Sequence, residues 1–125
     1  MNILGADFVA YQTHDIERAI AFYRDTLGLN MTFYGEDFGW AEFDVPPTTL
    51  AIYDPRKAAD HEPNIGGGSL ALSVEDVDEA VKHLKEKDVN VFAERIETGV
   101  CVFALCTDPD GNMLWLHKRH DGTHG

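Results

Sequence analysis

The second half of the chain repeats the pattern of the first. Residues 15–20 read Asp-Ile-Glu-Arg-Ala-Ile, and residues 76–81, 61 positions further along, read Asp-Val-Asp-Glu-Ala-Val. A short apolar run precedes each aspartate, which is a favoured N-cap residue, and apolar residues at helical spacing follow it. Three strand-like runs separated by turn residues complete each copy. The repeat therefore predicts an α+β fold made of two β-α-β-β-β modules.

The predicted boundaries follow from the same pattern. One domain covers residues 1–125, with the first module at about 6–54 and the second at about 69–118. The first helix is expected over 16–27 and the second over 77–87. Predicted strands are 8–12, 29–34, 40–45, 48–53, 69–74, 89–93, 100–106 and 113–117.

A polar connection, residues 55–68, joins the two modules and ends in three glycines. Gly66-Gly67-Gly68 leads into a predicted strand rather than a helix, and no Lys-Ser or Lys-Thr pair follows it. Both features are needed for a phosphate-binding loop, so we interpret the glycines as a hinge. Each module would cover only one face of its sheet with a helix. Two such sheets facing one another form a cupped sheet, which predicts a ligand cavity between the modules.

Charge restricts the partners of such a protein. The 125 residues include 22 Asp and Glu against 10 Lys and Arg, a net charge of −12. A field of this sign repels nucleic acids and anionic membrane surfaces, and it is compatible with a neutral or cationic small molecule. The sequence also lacks a signal-peptide pattern and an apolar run of roughly 20 residues. We therefore expect a cytoplasmic protein with reduced Cys101 and Cys106, which lie on opposite faces of one strand.

Three segments carry motifs of a known family: Asp-Ile-Glu-Arg-Ala-Ile-Ala-Phe-Tyr-Arg-Asp-Thr-Leu-Gly-Leu at 15–29, Leu-Ala-Leu-Ser-Val-Glu-Asp at 70–76 and Asp-Pro-Asp-Gly-Asn at 108–112. They resemble the vicinal oxygen chelate superfamily, which includes glyoxalase I, bleomycin-resistance proteins and extradiol dioxygenases. Residues 15–29 resemble the first helix of that family together with its Leu-Gly-Leu ending. Residues 70–76 resemble the opening of the second module, and the Asp-Pro-Asp-Gly-Asn of 108–112 resembles the hairpin before its last strand. The resemblance implies the same two-module fold, and it implies a homodimer.

Metal-dependent members of that superfamily use His, Glu or Gln ligands from the first and last strands of each module. Carried over position by position, these ligands fall on Phe8, Ala51, Ser69 and Trp115. Phe, Ala and Trp offer a cation no donor atom, and a neutral Ser hydroxyl is a weak ligand. We therefore predict that the usual metal site is absent, and we expect no cofactor.

The predicted cavity is aromatic and acidic. Residues two apart along a strand share a face. If Ala51 and Trp115 face inward, Tyr53 and His117 therefore face inward as well. By the same alternation, Gln12 shares the face of Phe8. In strand 40–45, the apolar residues Ala41, Phe43 and Val45 suit the face that the helix covers. The alternate residues Trp40, Glu42 and Asp44 then face the cavity. The predicted ligand-binding residues are Phe8, Gln12, Trp40, Tyr53, Ser69, Trp115 and His117, with Glu42 as the candidate catalytic residue.

Three functions are compatible with this sequence. The preferred one is metal-independent binding of a small organic molecule, with rings that stack on it and Glu42 that supplies charge. The second is an enzyme: a lyase or isomerase with Glu42 as base, or a divergent metal-dependent glyoxalase or dioxygenase. The third is a collapsed barrel whose interior is filled by the aromatic side chains.

Overall fold

The computed structural model describes residues 1–4, 6–58 and 60–125. The chain divides into two compact units, Met1–Ile65 and Gly66–Gly125, so the division falls at the triple glycine. Each unit contains one four-stranded sheet and follows the order β-α-β-β-β. The predicted α+β fold of two equivalent modules is confirmed.

The first unit contains β1 (Val9–Gln12), α1 (Ile16–Ile20), β2 (Asn30–Gly35), β3 (Trp40–Val45) and β4 (Thr48–Tyr53). A π-helical segment (Ala21–Thr26) continues α1, a 3₁₀ turn (Glu36–Phe38) precedes β3, and a short helix, α2 (Pro55–Ala58), follows β4. The strand order is β1-β4-β3-β2, with β1 parallel to β4 and the other pairs antiparallel.

The second unit repeats this topology. It contains β5 (Leu70–Ser73), α3 (Val77–Glu86), β6 (Val91–Glu97), β7 (Cys101–Thr107) and β8 (Met113–Arg119). The strand order is β5-β8-β7-β6, again with one parallel pair, β5 and β8, at the edge.

The helices α1 and α3 each begin directly after the predicted N-cap aspartate. The main-chain N–H of Arg18 donates to Asp15 Oδ1 at 3.1 Å, and that of Glu79 donates to Asp76 Oδ1 at 3.0 Å. Each carboxylate thus satisfies one of the N–H groups that a helix leaves without an internal partner.

One face of each sheet packs against its helical segment. In the first unit the rings of Tyr23 and Phe43, both fully buried, lie 5.8 Å apart. In the second unit Leu84 of α3 is buried, as are Ala104 and Leu114 of the sheet. We call the opposite face of each sheet, which points away from α1 or α3, the helix-free face. The predicted site residues lie on this face.

The structure differs from the prediction at several element boundaries. Strand β6 ends at Glu97 rather than at residue 93, β8 ends at Arg119 rather than at His117, and other predicted ends are off by one residue. The helix predicted over 16–27 is α-helical only to Ile20 and continues as a π-helix. In this part the main-chain N–H of Leu27 donates to Phe22 O, five residues back, at 2.9 Å. Strand β6 begins at Val91 rather than Val89, because the N–H of Val89 donates to Leu84 O and completes the end of α3. The polar connection between the modules, for which no helix was predicted, begins with α2.

Among the described residues, no helix is long and apolar enough to cross a membrane.

Candidate functional site

The alternation predicted for β3 is confirmed. Ala41 and Phe43 are fully buried, and Phe43 packs towards the helical segment. Trp40 and Glu42 are half-buried on the other face of the strand. Asp44 shares that face and is exposed. The acidic and aromatic side chains of β3 therefore lie on the helix-free face of the first sheet.

Neighbouring strands bring further predicted residues to this face. Tyr53 is the cross-strand partner of Trp40, and Gln12 is the partner of Tyr53. Ala51 lies beside Glu42 in the same way. The ring centroids of Trp40 and Tyr53 are 5.2 Å apart, and the ring of Phe8 meets the Trp40 indole edge-on at 5.7 Å. Both separations are those of favourable aromatic pairs.

Hydrogen bonds fix the orientation of these side chains. The indole Nε1–H of Trp40 donates to Glu42 Oε2 at 2.9 Å. The amide Nε2–H of Gln12 donates to Tyr53 Oη at 3.0 Å, and Gln12 Oε1 accepts from the main-chain N–H of Asn64 at 2.7 Å. The Glu42 carboxylate is thus held at the edge of a ring cluster that a planar ligand can stack on. We name this set, Phe8, Gln12, Trp40, Glu42 and Tyr53, the aromatic-acidic cluster.

The other predicted residues lie on the helix-free face of the second sheet. Trp115 donates its Nε1–H to Ser69 Oγ at 3.0 Å. Its ring also packs against Phe103 at 4.6 Å. His117, two residues along β8, is half-buried and lies opposite Phe103 and Ser73. Sequence reasoning missed Phe103, although the alternation of residues 101–107 contains the signal for it.

Two phenylalanines of the first unit were also missed. Phe33 of β2 is the cross-strand partner of Glu42, and its ring stacks on that of Phe38 with centroids 6.0 Å apart. The pairing of β2 with β3 shifts register between Met31 and Phe33. Because a shift of register changes which side chains share a face, alternation alone does not place Phe33.

The four positions that match metal ligands do not fit a metal. Ser69 and Trp115 bond to each other, Phe8 packs against Trp40, and Ala51 has no donor atom. Within the described part of the chain, no three His, Cys, Asp or Glu side chains group together in a way that could hold a metal ion.

Two buried polar groups outside the cluster stabilise the fold. Asp54 accepts from the main chain and the guanidinium of Arg56, and these bonds lower the pKa of Asp54. Arg56 also donates to His14 O at 2.5 Å, which ties the end of β4 to the entrance of α1. Asp108 accepts from the main-chain N–H of Asp110 and Asn112 and closes the predicted hairpin turn.

Comparison with known proteins identifies the class that this fold defines. The family model described as the Glyoxalase/Bleomycin resistance protein/Dioxygenase superfamily matches residues 5–116. The chain belongs to that superfamily.

Individual relatives differ in what their names describe. The metallothiol transferase FosB of Staphylococcus epidermidis is 28% identical over 120 residues, which are 92% of this chain and 84% of that protein. The lactoylglutathione lyase of Salmonella typhimurium is 26% identical over 89% of this chain and 90% of its own length. The crystal structure of TnmS3, an antibiotic binding protein from Streptomyces sp. CB03234, matches with a TM-score of 0.75 and 27% identity, covering 95% and 98% of the two chains.

Proposed function

We propose that the protein binds a small, planar organic cation at the aromatic-acidic cluster. The observation that carries this proposal is the bond between the Trp40 indole and Glu42, which places a carboxylate beside a ring cluster. A flat cation gains from stacking on the rings and from the nearby negative charge. The similarity to an antibiotic binding protein supports a binding function, and the net charge of −12 favours a cationic ligand.

A titration with N-methylquinolinium tests this proposal. Bound at the cluster, the ring quenches the fluorescence of Trp40. Glu42→Gln removes the charge and retains an acceptor for the indole, so it weakens N-methylquinolinium by roughly tenfold. Quinoline, which is uncharged at neutral pH, is affected much less.

Asp44→Asn provides the matched control. It removes one negative charge from the same face of the same strand, but Asp44 is exposed and lies one position further along that face. We expect it to change the affinity less than twofold, since exposed charges are screened by solvent. Absence of quenching, or equal effects of the two substitutions, would overturn the proposal.

An enzyme is the second candidate, because relatives of this chain are named as a lyase and a transferase. In that case the half-buried Glu42 is the base of a lyase or isomerase. Incubation with small carbonyl compounds in deuterated water would then show exchange at the carbon next to the carbonyl, lost in Glu42→Gln. The absence of exchange with any compound tested leaves binding as the proposal.

The proposal includes the assembly and the compartment expected from the sequence. We propose a homodimer in the cytoplasm, on the basis of the family resemblance and of the free thiols of Cys101 and Cys106. Sedimentation equilibrium tests the dimer: a mass equal to one chain at micromolar concentration would contradict it. That Ser69, Trp115 and His117 contact the same ligand stays a prediction.

A further inference from the structure

Two exposed aromatic rings adjoin the aromatic-acidic cluster. Phe33 is 45% exposed and Phe38 is 50% exposed, although apolar side chains of this size are usually buried. Their rings stack on one another with an interplanar angle of 29°. We name them the phenylalanine pair.

The position of the Phe38 ring over Gly35 shows that the pair lies on the same face of the sheet as Trp40. Gly35 is the cross-strand partner of Trp40, so a Cβ at Gly35 would point to the same side as the indole. That Cβ would lie 2.2 Å from Cζ of Phe38, so the Phe38 ring occupies the space above Gly35. The φ of Gly35 is −100°, which any residue can adopt. The glycine is therefore needed here for the space it leaves to the Phe38 ring.

The pair and the cluster lie on the same face of the first sheet, on neighbouring lines across its strands. Along one line across the strands lie Tyr53, Trp40 and then Gly35 beneath Phe38. Along the next line lie Ala51, Glu42 and Phe33. Adjacent strands are about 4.8 Å apart, so a second flat group linked by one or two atoms to a ring at Trp40 reaches the pair.

We propose that the phenylalanine pair is a second ring subsite, which binds a neutral aromatic arm of the cation held at Trp40 and Glu42. This inference rests on the proposed function and specifies the class of ligand: an extended cation with two flat ring systems. Glu36 and Asp37, which precede Phe38, add negative charge and disfavour an anionic arm.

Two probes that share a charged head test the subsite. N-benzylquinolinium carries an aromatic arm, and N-methylquinolinium does not. We expect the benzyl compound to bind the protein roughly three- to tenfold more tightly, the effect of one additional aromatic pair. Phe33→Ala removes this advantage and leaves the affinity for N-methylquinolinium unchanged.

Phe92 offers a matched control, since it is an equally exposed phenylalanine, 52%, on the corresponding edge strand of the second unit. Phe92→Ala keeps the advantage of the benzyl compound. Gly35→Ala is a second, independent variant: its new Cβ displaces the Phe38 ring, so it also removes the advantage. Circular dichroism checks that Phe33→Ala is folded at the assay temperature. If it is not, Gly35→Ala and Phe38→Ala replace it, and each is expected to remove the advantage of the benzyl compound.

The outcomes separate the two proposals. If neither probe binds, the proposed function fails. If both probes bind equally well, or if Phe92→Ala weakens the benzyl compound as much as Phe33→Ala does, the subsite is wrong and the proposed function stands.

Discussion

The side chains of Ser69 and Trp115 are hydrogen-bonded to each other. The Ser69 hydroxyl oxygen accepts the indole N–H of Trp115, which is the only hydrogen-bond donor of that ring. Phe8 is similarly engaged with Trp40, and Ala51 has no polar side-chain atom. We therefore expect the purified protein, after dialysis, to contain far less than one equivalent of Zn, Ni, Fe or Mn by elemental analysis. One equivalent that resists dialysis would contradict this prediction and would point to ligands other than these four residues.

Cys106 makes the stability of the protein sensitive to alkaline pH. The side chain is fully buried, and this burial, with a smaller effect of Asp108, raises the pKa of the thiol from 9.0 to about 12. The folded state thus holds the proton more tightly than the unfolded state. This contribution to stability is complete below pH 9 and is lost as the pH rises from 9 towards 12, at up to about 1.4 kcal/mol per pH unit.

Urea unfolding at about pH 8 and about pH 10.5 measures the effect. The loss of unfolding free energy between the two is smaller in Cys106→Ala than in the unmodified protein. Tyr34, whose pKa is raised to about 12 mainly by its hydrogen bond to Glu17, acts in the same direction in both proteins. Equal losses in the two proteins would show that the Cys106 thiol does not carry the effect.

Single-residue contacts were only partly predictable from the sequence. Alternation placed Trp40 and Glu42 on one face, because residues two apart along a strand point the same way. The hydrogen bond between them depends on side-chain rotamers, which the pattern of residue types does not specify. Phe33 and Phe38 were missed because the shift after Met31 and the space above Gly35 exist only once the strands are paired.

At the level of elements, the helical segment that begins with α1 and the helix α3 end in different ways. Gly28 follows the first helical segment with a φ of 76°, in the left-handed region that glycine adopts at little cost. Asp88 follows α3 with a φ of 59°, where a side chain introduces strain. Asp88→Gly therefore raises the free energy of unfolding by roughly 0.5–1 kcal/mol.

Thermal or urea unfolding of three variants checks this expectation. Asp88→Ala keeps a Cβ at the same φ and should bring no stabilisation. Gly28→Asp makes the reverse change after the first helix and should destabilise the protein. Stabilisation by Asp88→Ala equal to that by Asp88→Gly would show that the effect comes from the lost charge rather than from the backbone.

The starts of α1 and α3 and the two central strands of the first unit were predictable, whereas several other element ends were not. Asp15 and Asp76 are local signals, since each caps the helix that follows it. Strands β3 and β4 match their predicted ranges because turn residues bound them on both sides. The widening of the helix after Ile20 and the late start of β6 arise from main-chain hydrogen bonds, which no residue type in the sequence signals.

For the molecule as a whole, the net charge of −12 opposes folding and assists the proposed binding. Repulsion among acidic side chains destabilises the compact state, whereas attraction by Glu42 stabilises a bound cation. Salt screens both, since the screening length falls from about 10 Å at 0.1 M to about 3 Å at 1 M. We therefore expect sodium chloride to raise the melting temperature of the free protein and to weaken N-methylquinolinium over the same range. Scanning calorimetry and fluorescence titration at the two concentrations measure these opposite effects, with uncharged quinoline as the control whose affinity does not fall. A melting temperature that falls as salt is added would show that favourable ion pairs, such as that of Arg95 with Asp78, outweigh the repulsion.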